Sequence, residues 1–100
     1  MFTRTVLVKL TDEWSTHKGR TTIAEHSQIT LSAVPGVASA SAMVPADSAA
    51  LESWDIMLQI HFETYEDIEP YRVHPDHLAF LNDYLSPKAE IKKVWNWGGV

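Results

Sequence analysis

From Trp54 to Phe62 the chain alternates without a break, with Trp54, Ile56, Leu58, Ile60 and Phe62 on one side and Asp55, Met57, Gln59 and His61 on the other. Successive side chains of an extended strand point to opposite faces, so this run is predicted to be a β-strand with one wholly apolar face. The opposite face, ending at Glu63, mixes Met57 with polar groups and suits a surface that something other than water covers. Such a strand needs neighbouring strands for its backbone and a second layer for its apolar face.

The rest of the chain supplies both. Val6, Val8 and Leu10 alternate with Thr5, Leu7 and Lys9, which makes the first ten residues a strand. The polar stretch Thr11 to Lys18 offers Ser15 and Thr16 as helix N-caps ahead of Ala24, Ser27, Leu31 and Val34 at helical spacing, and Pro35-Gly36 stops that helix near Val34. Val37 to Val44 alternates small residues as a strand, and Pro45 to Ser53 reads as a loop with room for a local helical turn. Thr64-Tyr65-Glu66-Asp67 resembles a capping box that starts a short helix to about Val73. A kink at His74-Pro75 separates it from a second helix to about Leu85, whose Leu78, Leu81 and Leu85 share a face. Ile91, Lys93, Trp95 and Trp97 alternate with Lys92, Val94 and Asn96 as the last strand.

The order β-α-β-β-α-β implies an α+β, ferredoxin-like fold: a four-stranded antiparallel sheet with helices on one face, formed by residues 1–100 as one domain. Leu7, Met57, Trp95 and Trp97 then fall on the sheet face away from the helices, an apolar patch larger than a monomer usually exposes. Pairing two copies through that open face buries it, so a homodimer is expected.

Composition narrows the partners. Thirteen acidic residues against eight basic ones give a net charge of -5, a poor footprint for nucleic acid or an anionic membrane. No segment approaches the roughly 18 apolar residues of a membrane span, and the N-terminus has no signal-peptide pattern. The absence of cysteine removes thiolate chemistry and suits a reducing, cytoplasmic setting.

Four stretches resemble one family: Arg4-Thr-Val-Leu-Val-Lys-Leu10, the Val34-Pro-Gly-Val37 turn, Trp54 to Phe62, and the run Tyr71-Arg-Val-His74-Pro75-Asp-His77. They are similar to the stress-responsive A/B barrel (Dabb) domain over nearly the whole chain. The resemblance implies a homodimer whose two sheets form a central barrel, the dimeric α/β barrel, with a ligand cleft between each sheet and its helices. Among the family's few characterised activities is a plant polyketide cyclase, cofactor-free and of the aldol-cyclisation type. Its cleft tyrosine and catalytic histidine match Tyr71 and His77, whereas Arg4 and Ser27 stand where it has a histidine and a tyrosine.

His77 is therefore the candidate general base for proton abstraction beside a carbonyl, with the Tyr71 phenol orienting it or stabilising an enolate. The competing reading has both residues packing under the helix kink as a mark of the fold. His74 is expected to cap the helix that Pro75 opens and is also a ligand-binding candidate at the cleft. Arg4 offers forked donors to a ligand carboxylate, Asn96 an amide, and Ile23, Ser27 and Leu58 complete the candidate cleft lining. His74 and His77 give two imidazoles at helical spacing, short of the three or four ligands a metal needs, so no metal is expected. No nucleotide-binding glycine pattern or nucleophile elbow is present, and no cofactor is expected. Three functions stay open: small-molecule binding, cofactor-free lyase, isomerase or cyclase chemistry, and assembly without a ligand.

Overall fold

The computed structural model describes all 100 residues, Met1–Val100. Strand β1 (Phe2–Leu10) leads into helix α1 (His17–Ser32), then β2 (Ser39–Met43), a one-turn helix α2 (Ser48–Leu51) and β3 (Ile56–Phe62). A 3-10 turn at Tyr65–Asp67 opens α3 (Ile68–Arg72), and α4 (Pro75–Ala79) follows and widens into a π-helical turn at Phe80–Leu85. A second 3-10 turn, Ser86–Lys88, delivers the chain to β4 (Ala89–Gly98). The sheet order is β2-β3-β1-β4 with every neighbouring pair antiparallel, the ferredoxin-like arrangement expected from the element order. No helix is long and apolar enough to cross a membrane.

Register sets the two faces. Val6 stands opposite Leu58 on β3 and Val94 on β4, while Leu7 stands opposite Met57 and Thr5 opposite Trp95. Residues directly opposite one another share a face, so Arg4, Val6, Leu58, Val94 and Asn96 look toward the helices. Leu7, Met57, Trp95 and Trp97 share the other face, as their alternation predicted. Val8, Leu10, Ile56, Leu58, Ile60 and Phe62 meet Ile23, Ala24 and Leu31 of α1, with Ile68, Tyr71, Phe80 and Leu85 closing the core.

Local chemistry explains the boundaries. Thr16 caps α1, its hydroxyl oxygen accepting from the Gly19 N–H at 2.9 Å. Gly19 must be glycine, because a Cβ there would collide with the Trp14 carbonyl oxygen. The helix ends at Ser32, two residues before the expected Val34: Ala33 is its C-cap, and Val34, which precedes a proline, is disfavoured in the α region. Gly36 then takes a φ of 92°, a left-handed conformation that favours glycine. Asp67 accepts from both the N–H and the hydroxyl of Thr64, at 3.3 and 2.9 Å, and fixes the turn into α3. His74 is extended, and its Nδ1 accepts from the Asp76 N–H at 3.0 Å, the predicted cap of α4.

Asp55 departs from the sequence reading. The regular strand starts at Ile56, so Trp54 falls outside it and does not join the core face of Ile56 and Leu58, and Asp55 does not join Met57 and Gln59 on the open face. It is 1% exposed, and its carboxylate accepts from the Leu10 N–H and the Ser15 hydroxyl, each at 2.7 Å, with Arg20 Nη1 at 3.5 Å. A buried carboxylate needs such partners, and these tie the end of β1 and the start of α1 to β3.

Candidate functional site

Between the helix-side face of the sheet and the α3–α4 segment lies a cavity of about 300 Å³. The sheet contributes Arg4, Val6, Leu58, Lys92 and Val94, α1 gives Leu31, and α3 gives Tyr71 and Arg72. From α4 and the π turn come His77, Leu78, Phe80, Leu81 and Leu85. Nine of these 13 lining residues are hydrophobic, the pattern of a small-molecule pocket with a few oriented polar groups. The shared face of Leu78, Leu81 and Leu85 is thus the helical wall of the cavity.

Tyr71 and His77 meet here because the His74-Pro75 kink turns α4 back on α3. Their ring centroids are 4.4 Å apart, and Phe62 packs edge-on against Tyr71 at 5.1 Å. His77 Nδ1 lies 2.8 Å from the Arg72 carbonyl oxygen. A carbonyl only accepts, so Nδ1 carries the proton and Nε2 of the neutral ring keeps its lone pair. Burial pushes the His77 pKa down, the bond to the Arg72 carbonyl opposes that, and the charges of Arg4, Arg72 and Lys92 push it lower still. Burial also pushes the Tyr71 phenol up to about 12, against the pull of Arg4, so it remains a donor at neutral pH.

The polar rim is cationic. Arg4 Nη1 donates to Asn96 Oδ1 at 3.0 Å across the β1–β4 pairing, and burial lowers the pKa of its guanidinium. Arg72 is clamped by Glu69, with Nε and Nη2 at 2.9 and 2.8 Å from the two carboxylate oxygens. Lys92 Nζ donates to Ser86 Oγ at 2.6 Å.

Of the residues singled out in the sequence, Arg4, Leu58, Tyr71 and His77 line the cavity. Asn96 borders an adjoining polar hollow that shares Arg4 and Arg72 with it. The structure does not bring Ile23, Ser27 or His74 to the cavity. Ile23 is wholly buried in the core, the Ser27 hydroxyl donates to the Ile23 carbonyl at 2.6 Å along the same helix, and His74 is occupied as a cap. Arg72 and Lys92 were not singled out as site residues; the shared parity of Lys92, Val94 and Asn96 was the available signal for the second. No group of three or more His, Cys, Asp or Glu side chains is placed to hold a metal ion.

Solved structures share this fold across almost the entire chain. A Dabb family protein with a ferredoxin-like fold from Mesorhizobium loti is 20% identical, with a TM-score of 0.81 over 99% of this chain and 96% of that one. A dimeric ferredoxin-like protein of unknown function from Thermobifida fusca is 16% identical, with a TM-score of 0.79 over 98% and 90%. The hydroxynitrile lyase of Passiflora edulis is 14% identical, with a TM-score of 0.75 over 96% and 90%. No curated protein matches the chain. The model of the stress responsive A/B barrel domain matches residues 2–94, and the chain belongs to that family, Dabb.

Proposed function

We propose that this single-domain chain acts in the cytoplasm as a homodimer and binds a small apolar or aromatic molecule in the cavity between its sheet and helices. The observation that carries the binding reading is the cavity itself, about 300 Å³ with an apolar wall and Arg4, Tyr71 and His77 as polar points. Dimerisation through the open sheet face is supported by Trp95 and Trp97, 46% and 58% exposed. An apolar hollow of about 280 Å³ on that side, bordered by Leu7, Met43, Trp54 and Met57, adds to the surface a second copy would cover. The Thermobifida fusca neighbour is itself described as dimeric. Protein-observed NMR with an aromatic probe such as 2-naphthol tests the binding reading, by whether resonances of the cavity lining move.

A second reading makes the same site a cofactor-free catalyst of proton abstraction beside a carbonyl. It is favoured by the His77 tautomer, which leaves Nε2 as a base beside a phenol that stays protonated. A structural neighbour named as a lyase agrees with it at the level of fold alone. Hydrogen–deuterium exchange at carbons beside the carbonyl of screened ketones and aldehydes, compared between the parent chain and His77→Ala, tests it. A true base contributes roughly 10²–10⁴-fold, so equal exchange in the two proteins rejects the reading.

A further inference from the structure

The chain carries a net charge of -5, yet Arg4, Arg72 and Lys92 line the cavity and no Asp or Glu does. These cations are not equivalent. Arg72 is matched by both oxygens of Glu69, which borders the same hollow as Arg4 and acts on it through charge alone, beyond ion-pair distance. Arg4 gives one N–H to the neutral Asn96 amide and has no acidic partner within ion-pair distance. Lys92 likewise meets only the neutral hydroxyl of Ser86. A guanidinium carries five N–H groups in a planar fork, so Arg4 keeps donors to spare beside the apolar side chains of Val6, Leu58 and Val94. A part-buried guanidinium whose nearest carboxylate is out of ion-pair reach and already bound to Arg72 is poorly compensated, and an anion arriving in the cavity would pair with it directly.

We propose that the cavity takes an apolar or aromatic carboxylate, its carboxylate held by Arg4 with Lys92 as the second cation and its body lying against the leucine wall. This rests on the small-molecule reading above and narrows it to one class of ligand. Tyr71 adds a third donor, because burial keeps its phenol protonated. The cavity volume, about 300 Å³, suits a body of one or two fused rings.

Calorimetric titration at pH 7.5 with 2-naphthoate, its neutral isostere 2-naphthamide and 2-naphthyl phosphate tests the assignment. Charge-assisted hydrogen bonds make naphthoate bind about ten- to a hundredfold more tightly than the amide. Arg4→Gln collapses that ratio to within about threefold, and Lys92→Gln reduces it. Unfolding curves check that both variants fold, and Lys92→Gln alone carries the comparison if Arg4→Gln does not. Equal affinity for acid and amide, a ratio that survives the substitutions, or tighter binding of the phosphate overturns the carboxylate assignment. Leu81→Trp fills the cavity and separates the two claims. If it blocks acid and amide that otherwise bind alike, the cavity reading stands and the carboxylate falls. If it leaves naphthoate binding unchanged, or neither probe binds at millimolar concentration, both fall.

Discussion

His77 and Arg72 are joined by a hydrogen bond of 2.8 Å from the imidazole Nδ1 to the backbone carbonyl, five residues back across the turn between α3 and α4. That bond fixes which nitrogen of His77 is free, and it ties the ring to the kink that Pro75 creates. Sequence, local geometry and site chemistry therefore converge on one turn.

Because burial lowers the His77 pKa in the folded chain, the unfolded chain binds the extra proton first on acidification. The stabilisation is fully present above about pH 6.5, the ordinary histidine value, and is lost as pH falls through the lower folded-state value. Urea unfolding between pH 8 and pH 5 is expected to show stability falling with acid, and His77→Gln is expected to flatten part of that slope. An identical slope in the two proteins would mean that the ring is not held neutral by its surroundings.

Asp55 is expected to be among the most sensitive polar positions. Asp55→Ala leaves the Leu10 N–H and Ser15 hydroxyl without their acceptor and Arg20 without its charge partner. Breaking such a buried set costs about 3 kcal/mol or more. Chemical denaturation measures the cost, and a loss below about 1 kcal/mol would show that water replaces the carboxylate without penalty.

These two residues also mark how far the sequence could be read. Regular alternation from Ile56 to Phe62 fixed the facing of β3, and parity alone put Leu7, Met57, Trp95 and Trp97 on one face. His74 was legible as a cap because its preference, like that of any residue before proline, is local. Asp55 was not, since the same period-2 pattern holds whether or not regular pairing has begun, and its partners lie 35 to 45 residues away. The site was legible in half: Tyr71 and His77 sit six residues apart, but their meeting with Lys92 depends on the β1–β4 register and on the π turn at Phe80–Leu85. No local preference announces either. Ser27 shows the opposite failure, a position that looks polar in sequence but whose hydroxyl is spent on its own helix.

Trp95 is the sharper probe of the open face, placed opposite Thr5 in the interior of the β1–β4 ladder. Sedimentation equilibrium at micromolar concentration is expected to show a dimer for the parent chain and a folded monomer for Trp95→Glu, which sets a charge in the paired faces. A monomeric parent chain would show that the open face is not a dimer interface.

Chemical-shift mapping with 2-naphthol shows whether the sheet–helix cavity is where this chain meets a small molecule. Saturable shifts are expected on Leu31, Leu58, Tyr71, His77 and Leu81 around the cavity, with Trp97 and Met57 on the open face unmoved. Shifts confined to the open face, or none at millimolar probe, would contradict that expectation.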